Sequence, residues 1–217
     1  TPSVHSQNNL TFGFLPPAPI FSSSSLAAIA TAADAIDAGL STSVDQNRCA
    51  PGSCKSSIRV GFIQANALYT KTNCLAAPGW ADTYHLTTAR DADGNPLTVT
   101  VPKAPSIDET ILALKELQDS GVNVVVGCTY SSTGFKIIEA LEQMDYSPLS
   151  LVITATVDGS TYSGKIENDW WQGEYVLGPA PWTRNAPLVG EFSGLDSPQF
   201  AEKYKDRFGD YPVYQSA

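Results

Sequence analysis

Charged residues are scarce in this chain, and most of them are acidic. Only 16% of the 217 residues are charged, and Asp and Glu outnumber Lys and Arg by 22 to 13, which gives a formal net charge of −9. Lys and Arg form no dense block that could attract a phosphate backbone. Uninterrupted apolar runs are shorter than the roughly 18 to 20 residues that span a bilayer. We therefore expect no nucleic-acid partner and no membrane contact.

Histidine is rare, and the motifs of the common catalytic classes are missing. The two histidines, His5 and His85, lie away from the predicted strand ends, where a nucleophile would need a base. The sequence has no Gly-x-Ser-x-Gly turn, phosphate-binding loop, dinucleotide fingerprint or His-Glu-x-x-His helix. The neighbouring acids Asp108 and Glu109 fit the first turn of a helix. We predict a protein that is not an enzyme and binds no cofactor or metal.

The cysteines number four: Cys49, Cys54, Cys74 and Cys128. An even count, few lysines and an Asn-x-Thr glycosylation motif at Asn9 are typical of a glycoprotein from an oxidising compartment. The turn-forming residues 50–53 bring Cys49 close to Cys54, so we predict a local disulfide. This pairing leaves Cys74 with Cys128. A zinc site is less favoured, because Cys-x4-Cys lacks a second pair of ligands.

Amphipathic helices and apolar strands alternate along most of the chain. Capping residues and helical spacing predict helices at 25–39, 106–121, 132–144 and 197–209. Apolar runs predict strands at 58–65, 97–102, 122–126, 149–157 and 173–179. Residues 70–86 predict a helix broken at Pro78 and Gly79. The alternation indicates an α/β fold: a Rossmann-like, three-layer lobe with a mostly parallel sheet between helices.

Three polar loops follow predicted strands, at 64–70, 127–134 and 154–160. Ligands bind at the carboxyl edge of an open α/β sheet, where such loops converge. The candidate ligand-binding residues are Gln64, Asn66, Tyr69, Thr129, Tyr130, Ser131, Ser132, Thr156 and Asp158. Hydroxyls, amides and aromatic rings together suit a small polar ligand. Alternatively, Ser131 and Ser132 only cap a helix and the threonines only favour strands.

Several stretches occur in an order that resembles the type I periplasmic binding proteins. They are "ILALKELQDSGVNVVVGCTYSSTGFKIIEALEQMDYSPLSLVITATV", "GEYVLGPAPWTRNAPLVG" and "SPQFAEKYKDRFGDYPVYQSA". The resemblance is mainly to the second lobe of the branched-chain amino-acid and amide binders, and to receptor ectodomains related to them. It implies a lobe-crossing segment at 1–24 and a second-lobe-like α/β domain at 25–217. The first lobe is then mostly absent, and we expect a domain truncated at both ends.

The resemblance also implies a function. Proteins of this kind grip a small molecule between two lobes, and contact with both lobes favours the closed form. The implied partners are a small polar ligand, such as an amino acid or amide, and the rest of a longer chain or neighbouring subunits. The family's contacts fall on the three loops named above, and Asp158 is implied as the partner of a ligand ammonium. The implied location is extracellular or at the cell surface, and periplasmic if the protein is bacterial.

Two other functions remain open from the sequence. The first is a structural module that reuses this fold for packing in a surface assembly or fibre. The second is an enzyme acting on a glycan through the acid and aromatic cluster Glu167, Asp169, Trp170 and Trp171. A packed aromatic hinge or flap explains that cluster better than a sugar site does. A binding lobe should keep an open polar edge, whereas a packing module should fill it.

Overall fold

The computed structural model describes residues 18–40, 49–155, 176–179, 184–185, 189–190 and 193–212. Its helices are α1 (Ser23–Asp37), α2 (Cys54–Ser57), α3 (Leu68–Thr83), α4 (Ile107–Asp119), α5 (Ser131–Gln143) and α6 (Ser197–Phe208), and a 3-10 turn, Ala18–Ile20, precedes them. Its strands are β1 (Arg59–Ala65), β2 (Thr87–Thr88), β3 (Thr98–Val101), β4 (Val124–Cys128), β5 (Ser150–Ile153) and β6 (Val176–Leu177). Helices and strands alternate from β1 to β5 as the sequence predicts, except that β2 directly precedes β3.

The strands form one sheet in which every described pair of strands is parallel. Its order is β2-β1-β4-β5-β6, and β3 also pairs with β1. Because β4 occupies the other side of β1, β2 and β3 lie end to end on the same edge. The loop between them turns back on itself through a bridge between Arg90 and Pro96. The predicted α/β fold with a parallel sheet is confirmed.

Two apolar clusters, one on each face of the sheet, form the core. Helices α1 and α3 pack on one face, where Leu26 and Ala77 lie with Phe62 of β1. Helices α4 and α5 pack on the other face, where Leu114 and Ile137 lie with β-strand residues. Adjacent residues of β4 alternate between the two clusters, as strand geometry requires. A strand buried on both faces carries a continuous apolar run, which is why the sequence identifies β1 and β4 well.

Helix α3 differs from the prediction, because it is continuous through Pro78. A proline inside a helix removes one hydrogen bond, here the bond to the carbonyl of Cys74. Ala77 and Ala81, on either side of the proline, are completely buried against the sheet. The turn is also held by a disulfide from Cys74 to Cys128. Tertiary contacts therefore maintain a helix that local preference alone would break.

Helix ends and short strands show where sequence patterns are weakest. A capping box marks the start of α4, where the sequence predicts it: the Ser106 N–H donates to Glu109 Oε2 at 2.7 Å, and the Glu109 N–H donates to Ser106 Oγ at 3.2 Å. The first of these bonds keeps the pKa of Glu109 below its ordinary value. Helix α6 is capped by Asp196, one residue before the predicted cap. Strand β2 was not predicted, because two residues carry no periodic signal.

One apolar stretch is longer than the sequence analysis expects. Residues Ala18–Asp37 have a mean hydropathy of 1.2 over a length that could cross a membrane, judged by length and composition alone. In the structure the apolar side of α1 faces the core, through Leu26, Ile29 and Ile36. A helix that covers one face of a sheet needs this composition. The stretch therefore serves in packing within the described fold.

Candidate functional site

The carboxyl ends of β1, β3 and β4 meet at one edge of the sheet, which we call the ligand edge. The strand register places Gln64 beside both Thr100 and Cys128. The chain leaves this edge into α3 and α5, so the first turns of both helices lie there. Seven of the predicted residues reach the ligand edge: Gln64, Asn66, Tyr69, Thr129, Tyr130, Ser131 and Ser132. The structure thus brings two of the three polar loops together.

Aromatic rings connect the two loops. The rings of Tyr69 and Tyr130 stack with centroids 5.9 Å apart and planes 27° apart. Phe21 meets Tyr69 edge to face, at 6.0 Å and 81°. All three side chains are partly exposed. Offset and edge-on contacts of this kind each contribute about 0.5–1.5 kcal/mol beyond their buried area. The three residues form an aromatic platform whose members are each partly exposed to solvent.

A third loop, residues 102–106, joins the platform although the sequence analysis omitted it. Lys103 places its Nζ 5.9 Å from the ring centroid of Tyr130. The loop is held on α5, because Thr133 Oγ1 donates to the Lys103 carbonyl at 3.4 Å and Lys136 Nζ donates to the Pro105 carbonyl. The sequence analysis selected polar loops that follow predicted strands, and the loop after β3 meets the same condition, so Lys103 could have been predicted. Phe21 precedes α1 and follows no predicted strand, so this rule could not have selected it.

The small polar residues of the 127–134 loop serve the fold more than the sequence suggests. Ser131 Oγ donates to the Ala155 carbonyl at 2.7 Å, which ties α5 to the end of β5. The N-cap of α5 is Tyr130, and it makes no side-chain capping bond, so the prediction that Ser131 or Ser132 caps this helix is wrong. Ser132 is exposed. Thr129 is completely buried rather than facing a cleft, because it points to the same side of the sheet as Gly127 and Ile137.

A buried disulfide braces the platform from beneath. It joins Cys74 of α3 to Cys128 of β4, with Cα atoms 5.5 Å apart, and the other disulfide joins Cys49 to Cys54. Both pairs are those expected from the sequence. Closing a loop with a sequence separation of 54 residues stabilises the fold by about 4 kcal/mol in the chain-entropy estimate. The brace fixes α3, which carries Tyr69, to the strand that leads into Tyr130.

The residues next to this disulfide carry buried polar groups that lack hydrogen-bond partners. Asn73 and Thr129 are completely buried, and within the described part of the chain their side-chain polar atoms have no hydrogen-bond partner. Those atoms are the amide nitrogen and oxygen of Asn73 and the hydroxyl of Thr129. Each buried polar group without a partner costs about 1–3 kcal/mol. Asn73 lies on α3 and Thr129 faces α5, so the packing of each helix against the end of β4 buries one residue with unpaired polar atoms.

Solved structures align with this arrangement over most of the chain. The leucine-, isoleucine-, valine-, threonine- and alanine-binding protein of Brucella ovis, in its closed conformation, aligns with a TM-score of 0.62 and 19% identity, over 94% of this chain and 42% of that one. A candidate branched-chain amino acid ABC transporter of Silicibacter pomeroyi aligns with a TM-score of 0.61 and 16% identity, over 100% of this chain and 46% of that one. The chain has the fold of one lobe of the type I periplasmic binding proteins.

This chain spans less than half the length of each of these two structures. An ABC transporter substrate-binding protein of Desulfitobacterium hafniense aligns with a TM-score of 0.51 and 11% identity, over 76% of this chain and 42% of that one. No sequence-family model and no curated protein sequence matches the chain. At these identities the similarity shows the fold alone.

Several predicted residues of the lobe lie outside the described part of the chain. They are Thr156 and Asp158 of the third loop, the glycosylation candidate Asn9, and the cluster Glu167, Asp169, Trp170 and Trp171. Within the described residues, no group of three or more His, Cys, Asp or Glu could hold a metal ion. The lobe also has an apolar cavity of about 340 Å³ between α1, the Cys49–Cys54 loop and the starts of β4 and β5. That cavity does not suit a polar ligand.

Proposed function

We propose that this lobe is one half of a two-lobed, non-catalytic receptor for a small polar solute. The observation that carries the proposal is the aromatic platform of Phe21, Tyr69 and Tyr130 at the ligand edge, beside exposed amide and hydroxyl groups. Rings stacked next to hydrogen-bonding groups can hold a small molecule and orient it. A platform on the carboxyl ends of parallel strands also lies where ligands of α/β sheets bind. The proposed location is extracellular or periplasmic.

The polar groups available at the ligand edge favour a ligand with a carboxylate. Residues 64–71, 100–105 and 129–136 contain three lysines, Lys71, Lys103 and Lys136, and no Asp or Glu, although the whole chain is acidic. The Lys136 ammonium is bound to the Pro105 carbonyl, whereas Lys103 lies over the Tyr130 ring without an ion pair among the described residues. A ligand carboxylate beside Lys103 would supply the missing counter-charge.

A free amino acid is the simplest ligand that meets this condition. The Brucella ovis protein is named for binding five amino acids, which makes this class the first to test. Asp158 follows β5 in sequence, and we keep the prediction that it pairs with the ligand ammonium. Contact with a second lobe would complete the site, and ligand binding would favour closure of the two lobes.

The test is thermal unfolding and calorimetric titration of the chain, joined to its second lobe where the natural protein has one. The panel contains L-leucine, L-threonine, L-alanine and L-asparagine, together with leucinamide, the counterpart of leucine that keeps the α-amino group and lacks the carboxylate. A solute at 100 times its Kd raises the free energy of unfolding by about 2.7 kcal/mol. We expect the amino acids to bind and leucinamide to bind less. If no member of the panel shifts unfolding, the proposed function is wrong.

A matched pair of tyrosines on α3 locates the site. Tyr69→Ala removes the middle ring of the platform, and we expect affinity to fall about tenfold, close to the upper value for one aromatic contact. Tyr84→Ala removes a ring at the other end of the same helix, where Tyr84 stacks on Trp80 at 6.4 Å. We expect this control to change stability but not affinity. Equal affinity losses in both variants would place the ligand elsewhere.

A further inference from the structure

The disulfide Cys74–Cys128 lies at the centre of an unusual junction. The two residues that adjoin it in sequence, Asn73 and Thr129, are both completely buried and both lack hydrogen-bond partners among the described residues. Desolvated polar groups without partners oppose the packing that buries them. Asn73 lies on α3, so without a covalent bond the separation of α3 from the end of β4 would let its amide reach water, whereas Thr129 faces α5 and would stay buried.

The same junction determines the geometry of the aromatic platform. Tyr69 lies in the first turn of α3, five residues before Cys74, and Tyr130 follows Cys128 by two residues. Tyr69 and Tyr130 stack only while α3 and β4 keep their present separation, which the Cα distance of 5.5 Å across the disulfide defines. The disulfide and both adjoining residues are buried, so they do not contact a ligand on the exposed rings.

We propose that Cys74 and Cys128 are positioning residues, and that the ligand edge becomes competent only when this pair is oxidised. In the reduced chain, the unpaired amide of Asn73 favours separation of α3 from β4, and the platform opens. Oxidation by a small-molecule or protein disulfide joins the two sulfurs, while the oxidant's disulfide takes up two electrons and two protons to become two thiols. The dependence of ligand binding on oxidation rests on the proposed function, whereas the first test below measures only the position of the two tyrosines.

The first test measures how close Tyr69 and Tyr130 of the platform lie to each other, without any ligand. Photo-oxidative cross-linking joins neighbouring tyrosines as dityrosine, and mass spectrometry of the peptides measures the Tyr69–Tyr130 product. We expect the oxidised protein to form this product, and the Cys74→Ala/Cys128→Ala variant to form at least fivefold less. The control variant Cys49→Ala/Cys54→Ala removes the other disulfide, and we expect its yield to stay within twofold. An unchanged yield in the Cys74→Ala/Cys128→Ala variant would overturn the proposal.

A rescue experiment separates positioning from general loss of structure. Asn73→Leu replaces the unpaired amide by an apolar side chain of similar size, which packing alone can hold. Added to the Cys74→Ala/Cys128→Ala variant, it should restore at least half of the cross-link. Thr88→Val removes another buried unpaired hydroxyl, on β2, and should restore nothing. Equal recovery with Thr88→Val, or no recovery when Asn73→Leu is added to a folded Cys74→Ala/Cys128→Ala variant, would contradict the mechanism.

The second test measures binding of L-leucine to the same variants. We expect affinity to fall at least tenfold without Cys74 and Cys128, and to recover at least threefold when Asn73→Leu is added. A cross-link that depends on the disulfide while leucine and the rest of the panel fail to bind would leave the positioning role intact and remove the proposed function. A leucine affinity unaffected by loss of the disulfide would overturn the proposed oxidation dependence.

Discussion

Gly61, in the middle of β1, offers a quantitative test of how tightly the sheet packs on α4. A Cβ atom at this position would lie 2.6 Å from Val122 Cγ2, 3.0 Å from Val122 Cγ1 and 3.1 Å from Leu117 Cδ2. Both neighbours are buried, so neither side chain can move into solvent. Overpacking of this kind costs about 1–3 kcal/mol. The lower entropy of the unfolded alanine chain offsets about 0.4–1 kcal/mol of that cost.

We therefore expect Gly61→Ala to lower the free energy of unfolding by about 1–2 kcal/mol, after the offset. Gly79→Ala is the control, because it lies inside α3 and its Cβ would have no neighbour within 4 Å. There the same change should stabilise the protein by about 0.5–1 kcal/mol, the usual difference between glycine and alanine in a helix. Urea unfolding followed by circular dichroism measures both variants, and thermal midpoints should differ in the same order.

A double-mutant cycle with Val122→Ala tests whether the clash with Val122 causes the loss of stability in Gly61→Ala. If the clash with the valine methyl groups sets the cost, the two substitutions together should be less destabilising than the sum of their separate effects. Strictly additive effects would show that Val122 is not the obstacle. A Gly61→Ala variant as stable as Gly79→Ala would refute the packing argument itself.

Two further predictions concern polar contacts outside the ligand edge. Asp37 accepts hydrogen bonds from the N–H groups of Lys55 and Cys54 at 3.0 and 2.7 Å, and chiefly the bond from Lys55 lowers the pKa of Asp37 below 3.8. The ionised carboxylate therefore stabilises the fold above pH 3.8, and this contribution is lost as the pH falls below that value. In urea unfolding, the stability difference between the wild type and Asp37→Asn should disappear over the same pH range. Ser106→Ala removes the α4 capping box and should lower the free energy of unfolding by about 1 kcal/mol, whereas Ser120→Ala at the other end of α4 should lower it less. Equal losses of stability in urea unfolding would contradict the capping argument.

Much of the fold could be predicted from the sequence, because burial leaves a periodic record in it. The apolar runs of β1 and β4 identify strands buried on both faces, and Ser106 with Glu109 identifies the start of α4. The spacing Cys49–Ala–Pro–Gly–Ser–Cys54 identifies a local disulfide, since both cysteines lie on one turn. The polar loops after the strands also follow from sequence order, because parallel strands end at the same edge.

The composition of the ligand edge was predicted only in part. Tyr69 and Tyr130 were selected as separate loop residues, and their stacking depends on the register between β1 and β4. Phe21 reaches Tyr69 from a distant part of the chain, and Lys103 reaches Tyr130 from the loop after β3. Such contacts depend on how complete elements pack together, which no local pattern of residues records.

The sequence by itself therefore determined which segments are helices, which are buried strands and which loops are polar, since each of these is a local balance of propensity and burial. Only the tertiary structure decided that α3 continues through Pro78, that Thr129 is buried, and that two tyrosines meet above the Cys74–Cys128 disulfide. The physical reason is that these features depend on contacts between distant residues, where burial and a covalent bond outweigh local preference.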